Sequence, residues 1–349
     1  QGDAVTWDDL AKDELYQLNL YLHLAGIGPG KGGADSIRPV FAEHGYAVKA
    51  LSPRLHPVPS ATSGSVGAKV NSHCRPDILL YAAAGAAIIL ELKTASFGAK
   101  SSTAAQLRVL LTVDPADLAQ RLGRAHPPSP VRLVVAVNGA RSMMEDGLAE
   151  VAKQCAGWQT CQSATVFGLD FDGECLRLLR EAHEPVLSNK GPDTGVIIAS
   201  VEPGDLPAVV YHIPYDPDIG VNSPLAEMQF TQRVTATLFA FLLAVQPDKT
   251  VSYRLTECSE QLCPSLLELL KHNACRKKYL ERIRQEIENL CPDLQRLGFK
   301  TQYIGRTKTF SFETPPSHPE GLLRMMGALI PRRHAHGQLR LPETGPMTE

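Results

Sequence analysis

The sequence predicts an α/β fold with a mixed central sheet, followed by a smaller α+β domain. Three observations predict it. Short runs rich in Ile, Leu, Val and Tyr alternate with amphipathic stretches up to about residue 213. Several of these runs are apolar on both faces, as strands covered by helices are. After the linker PYDPDIGVNSP (214–224) the pattern changes to long helical stretches closed by a hairpin. The 349 residues suit about two domains at roughly 150 residues each.

The elements follow in order. Residues 6–24 predict one amphipathic helix, and a Gly-rich connector follows it. DSIRPVFAEHGYAV (35–48) reads as a helix capped by Asp35 or Ser36 and closed at Gly45. YAVKALS can start the first strand, and residues 52–72, rich in Ser, Pro, Gly and Ala, read as a surface loop. DILLYA (77–82) and AAIILELKT (86–94) flank a small-residue turn at Gly85 and read as a β-hairpin. Helices are expected over 102–113 and 115–124, a buried strand over 131–139, and a helix over 142–157. ATVFGLDFDGECLRLL (164–179) is a hairpin with Asp-Gly at its turn. Residues 194–200 and 207–213 read as two further strands. Beyond the linker come a long helix (225–245), helices over 265–274 and 276–290, and a hairpin over 299–314 turning at Gly305. Three helices and then a hairpin is a winged-helix order. Residues 315–349 read as a short helix near 319–329 and a loose tail.

Composition limits the function classes. Hydrophobic residues make up 44% and charged residues 21%, as in a soluble globular protein. The net charge of −2 supplies no global field towards nucleic acid, so any such binding needs a local patch. The eight cysteines form no CxxC pair, which argues against a structural zinc site. There is no secretory signal and no apolar run of about 18 residues, so reduced cysteines in a cytoplasmic, non-membrane protein are expected. AGIGPGKGGADS (25–36) imitates a phosphate loop, but three residues separate Gly26 from Gly30 and Gly32 follows Lys31, so a connector is the better reading. His126 and His212 lack ligand spacing and read as structural.

The stretch RPDILLYAAAGAAIILELKT (75–94) places Asp77, Glu91 and Lys93 in apolar surroundings. Buried charge is costly unless it is paired or binds a metal. Residues i and i+2 of a strand share a side, so Glu91 and Lys93 face together, with Leu90 and Leu92 turned to the opposite layer. A turn at 83–85 brings Asp77 to the same end of the neighbouring strand, about 5–8 Å away. Two carboxylates without a cation repel, and a hard divalent ion resolves the conflict. Such an ion polarises a phosphoryl oxygen and activates water, while Lys93 can stabilise phosphorane charge or position the water.

Pro76-Asp77, a hairpin and then Glu91-Leu92-Lys93 resemble the PD-(D/E)XK nuclease superfamily over about residues 35–160. The resemblance implies a restriction-endonuclease-like sandwich that hydrolyses phosphodiesters with Mg²⁺, or Mn²⁺ in its place, held by Asp77 and Glu91. It also implies a helical Glu before the core, here Glu43, and a Gln or Glu after the lysine, here Gln106. DNA is the expected substrate, and RNA is the alternative. A setting in bacterial restriction, anti-phage defence or mobile-element processing is implied by resemblance only. A non-catalytic DNA-binding or assembly subunit that retains the fold is the rival reading, with a homodimer or a partner protein open in either case.

Residues 271–310 carry ten basic and four acidic side chains, a net +6 within a chain of −2. This segment resembles winged helix-turn-helix DNA-binding domains. The resemblance implies phosphate or groove contacts by Arg276, Lys277, Lys278, Arg282, Arg284, Lys300, Arg306 and Lys308. The domains expected are thus 1–34 (helix and connector), 35–215 (nuclease-like), 225–314 (winged-helix-like) and 315–349 (tail).

Overall fold

The structure is a computed structural model. It describes residues 5–27, 37–59, 61, 72–93, 97–98, 101–138, 141–180, 186–187, 195–214, 223–317, 320–322 and 324. The chain forms two units, 1–221 with 268–272, and 222–267 with 273–349. The expected caps Asp35 and Ser36, most of the Gly-rich connector, most of the 214–224 linker and nearly all of the C-terminal tail lie outside the described residues.

The first unit opens with two helices where one was expected, α1 (Trp7–Lys12) and α2 (Glu14–Leu24). Asp13 separates them. Its backbone is extended, and its carboxylate accepts the N–H groups of Leu15 (2.8 Å) and Tyr16 (3.3 Å), satisfying donors that a helix start leaves open. The expected helix over 35–48 reduces to one described turn, α3 (Val40–Glu43), preceded by Pro39 and stopped by Gly45 at φ +80°. Strand β1 (Tyr46–Leu51) begins at once.

The hairpin is present as β2 (Ile78–Ala82) and β3 (Ala87–Lys93), with Gly85 at φ +97° in its turn. Helices α4 (Ser102–Leu111) and α5 (Pro115–Leu122) lead to β4 (Val131–Asn138), and α6 (Arg141–Cys155) leads to β5 (Ser163–Phe171). These are the helical crossovers that parallel neighbours require. β6 (Cys175–Leu179) and β7 (Val196–Ser200) complete a seven-stranded sheet in the order β1-β2-β3-β4-β5-β6-β7. The pairs β3–β4 and β4–β5 are parallel and the other four are antiparallel, so the sheet is mixed.

Helices cover both faces. Leu79 of β2, Ile89 of β3, Leu133 and Val135 of β4 and Val166 of β5 share one core with Leu107 and Leu110 of α4 and Met144 and Leu148 of α6. On the other face Phe167 stacks on Phe41 of α3 at 6.1 Å, and Phe41 meets Tyr21 of α2 at 6.3 Å. Leu15–Leu24 of α2 are buried all round, as in a core helix rather than an amphipathic one.

Two expectations need correction here. Residues 207–213 form no strand. They lie along α2, whose side chains bind their backbone: Tyr16 donates to the Pro207 carbonyl (2.9 Å), His23 meets both backbone groups of Val210, and Asn19 both donates to and accepts from Ile213. Buried backbone groups need partners, and here helix side chains supply what a sheet would. Of the expected 52–72 surface loop, residues 60 and 62–71 lie outside the described residues, and the described part is not simply surface. Leu55 bridges Cys74 in antiparallel fashion, Pro57 bridges Val113, and Leu55 is fully buried.

The second unit contains α7 (Pro224–Ala244), β8 (Thr250–Arg254), α8 (Leu255–Leu262), α10 (Asn273–Arg296), and the hairpin β9 (Lys300–Ile304) and β10 (Thr309–Glu313), while the short turn α9 (Leu266–Leu269) ends in the 268–272 segment of the first unit. Strand β8 and helix α8 were not expected, and the helix expected over 265–274 reduces to the turn α9 because the long helix begins at Asn273. Strand β8 pairs with β10 to give an antiparallel sheet in the order β8-β10-β9, with Tyr253 buried beneath it. Phe230 and Leu238 of α7 pack inward with Tyr279, Ile283 and Ile287 of α10. Phe230 meets Tyr279 edge-on at 5.7 Å. Among the described residues no helix is long and apolar enough to cross a membrane.

Candidate active site

The hairpin register builds the site. Ile78 pairs with Leu90, so one step along the antiparallel ladder Asp77 comes opposite Glu91. Asp77 stands one residue ahead of β2, and its Oδ2 accepts the Leu92 N–H at 2.7 Å. Glu91 is 1% exposed, on the sheet face that also carries Ile89 and is covered by α4. Lys93, two residues on, turns its ammonium back onto Glu91 in a close ion pair and donates to Gln106 Oε1 at 3.2 Å. Gln106 reaches the site from α4, which Ser101 caps through the Ala104 N–H (3.1 Å). Its Nε2 donates to the Arg75 carbonyl at 3.4 Å. Glu91, Lys93 and Gln106 are therefore joined in one network, and Asp77 is held beside it through the Leu92 N–H, with its charge also felt by Lys93.

Burial works against the charge on Lys93. The charges of Glu91 and Asp77, the hydrogen bond to Glu91 and the charge of Glu14 outweigh it, and the lysine pKa is raised. The stabilisation this gives is present below the ordinary lysine pKa and is lost as pH rises through the raised folded value.

Glu43 pairs with Arg38. Its two carboxylate oxygens take Arg38 Nε at 3.0 and 2.9 Å, and Nη2 lies at 2.7 Å, in a pair open to solvent. Glu14, which sequence reasoning passed over, is the residue from the N-terminal helices whose field reaches Lys93. It opens α2, which packs against β3. An acidic residue in a first helical turn reads in sequence as a helix-dipole partner, so nothing local set it apart.

Among the described residues no three His, Cys, Asp or Glu side chains converge as a ready metal cage. Two carboxylates alone are hard oxygen donors, and they suit an ion such as Mg²⁺ that keeps most of its water.

The basic residues of the second unit divide in two. Arg282 pairs with Glu286, itself 4% exposed, at 2.9 Å and lies 3.6 Å from Glu227. Arg284 is clasped by Glu281 and Glu288, with its guanidinium 5.7 Å from the Tyr303 ring, and Lys300 pairs with Glu313 at 2.6 Å. These three are engaged in ion pairs within the unit. Arg276, Lys277, Lys278, Arg306 and Lys308 are exposed. Lys277, Lys278 and Lys308 line a groove of about 470 Å³ with Tyr303, Leu255 and Leu280. It lies between α10, the start of α8 and the β9–β10 turn.

Compared with protein-family models, with curated proteins and with solved structures, the chain matches none.

Replacing Glu91 with Gln removes the first attraction that offsets burial of Lys93. The lysine pKa is expected to fall below its wild-type value, and the alkaline loss of stability to begin at lower pH. A ¹⁵N NMR titration of the Lys93 amine checks this; an unchanged pKa would show that Glu91 does not hold the charge.

Proposed function

We propose that the first unit is a metal-dependent nuclease that cuts phosphodiester bonds in DNA, and that the second is a winged-helix DNA-binding domain. The observation that supports it most is the network of Glu91, Lys93 and Gln106 at one end of β3, with Asp77 held beside it. The register Ile78–Leu90, which puts Asp77 one step beyond β2 toward Glu91, is in keeping with the superfamily pattern that the sequence resembles. A divalent ion held by these two carboxylates would polarise the scissile phosphoryl oxygen and lower the pKa of attacking water. Lys93 would meet the negative charge that grows on the phosphorane. Gln106 fixes the lysine between itself and Glu91, and Glu14 adds to the field that keeps the ammonium charged. The order helix, strand, three helices (the middle one a single turn), strand, strand after residue 223, with β8-β10-β9 pairing, supports the winged-helix reading.

A second reading has an observation of its own. Asp77 satisfies the Leu92 N–H and Glu91 neutralises Lys93, so each group also has a structural task. A fold retained without catalysis, serving a DNA-binding or assembly subunit, is consistent with that.

Metal-dependent nicking of plasmid separates the two. Asp77→Asn should abolish Mg²⁺-dependent cleavage, and Lys93→Ala should lower turnover by about 10²-fold or more with binding little changed. Full cleavage by Asp77→Asn would overturn the nuclease reading.

The groove lysines make a separate expectation. Replacing Lys277, Lys278 and Lys308 together with Ala should flatten the log–log salt dependence of duplex binding by up to about three units, at about 0.9 for each phosphate contact. Arg282 is left in place because it neutralises the buried Glu286. An unchanged slope in a salt series would assign the second unit to protein docking.

A further inference from the structure

A second group of charged side chains lies directly upstream of Asp77, and the mechanism above does not use it. Residues 52–56 and 72–77 run antiparallel. The Ser52 N–H donates to the Asp77 carbonyl at 3.0 Å, and Leu55 and Cys74 exchange both backbone hydrogen bonds, at 2.8 and 3.0 Å. Leu55 and Cys74 turn into the core that α4 covers. Their neighbours Arg54, His56, His73 and Arg75 are consequently drawn together outside that core, with Arg54 exposed and the other three half-buried.

The contacts within the group define its chemistry. Arg54 Nη2 lies 3.2 Å from His73 Nδ1, and Ser72 Oγ lies 3.1 Å from the same nitrogen. An arginine only donates, so Nδ1 accepts and the ring proton sits on Nε2. The His56 and His73 rings are 6.1 Å apart. Asp117 accepts the His56 backbone N–H at 3.0 Å, approaches its Nδ1 at 3.3 Å, and is shared with Arg121 at 3.4 Å. Burial and the charges of Arg54, His56 and Arg75 all lower the pKa of His73, which therefore stays a neutral donor near pH 7.5.

The group is tied to the active site by its backbone. Gln106, which holds Lys93, donates to the Arg75 carbonyl. His73 precedes Asp77 by four residues, about 13 Å at most of extended chain.

We propose that Arg54, His73 and Arg75 form a track for the phosphodiester backbone of the DNA strand cut at Asp77 and Glu91, on one side of the scissile bond. The inference rests on the nuclease reading for the strand's identity. Arg54 supplies a charged fork, His73 a neutral N–H donor, and Arg75 a second cation two residues before Asp77 in the chain. Anionic oxygen is the ligand such donors match.

The test is duplex affinity across a salt series at pH 7.5, together with Mg²⁺-dependent cleavage kinetics, for wild type, Arg54→Ala/His73→Asn and Arg54→Lys. The double variant should flatten the log–log salt slope by about one unit. Its KM should rise severalfold with kcat held, and Arg54→Lys should restore the slope. Identical slopes and KM values in a wild type that cuts would overturn the track and leave the nuclease reading standing. A flattened slope in a protein that never cuts would uphold phosphate binding here and remove the nuclease reading. Absence of duplex binding by wild type would overturn the track.

Discussion

The repulsion between two carboxylates on adjacent strands, and the cation that relieves it, governs the end of β3. Glu91 is 1% exposed, so water relieves little of this. Lys93 supplies an opposing attraction from two residues away on the same face, and the Leu92 N–H between them binds Asp77. One tripeptide thus provides a carboxylate, a backbone donor and an ammonium to a single cluster.

The rest of the first unit holds that cluster in place. β3 is flanked by antiparallel β2 and parallel β4, so its register is set from both sides. A one-residue slip would turn Glu91 and Lys93 to the α2 face and Leu90 and Leu92 to the α4 face. The crossover through α4 returns over the same face and delivers Gln106 to Lys93. On the opposite side α2 is buried so fully that its polar residues bind the backbone of 207–213. That segment fastens the helix whose first residue, Glu14, adds its charge to the site.

Much of this was legible in the sequence, for physical reasons. The hairpin at 78–93 could be read because its strands are continuous apolar runs around a glycine turn, and the placement of Glu91 and Lys93 on one side follows from the two-residue period of a strand. The 207–213 segment misled because Ala-Val-Val-Tyr has strand composition. Its partners, Tyr16, Asn19 and His23, are almost two hundred residues away, and propensity does not register them. Strand β8 was missed because Thr250–Arg254 is short and only Tyr253 is buried, so its identity comes from pairing with β10. The basic count over 271–310 was right as a sum. It could not separate Arg282 and Arg284, held by glutamates one helical turn away, from Lys277 and Lys308 in the groove. Glu14 was invisible because its relation to Lys93 is tertiary.

The account stands or falls on whether the Asp77–Glu91 pair accepts a divalent ion. Titrating Mn²⁺ into the full chain by electron paramagnetic resonance measures this without reference to any substrate. The account predicts one bound Mn²⁺ in wild type, displaced by Mg²⁺ and lost in both Asp77→Asn and Glu91→Gln. Mn²⁺ binding that is absent from wild type, or unchanged in both variants, would contradict it and leave the two carboxylates as structural partners of Leu92 and Lys93.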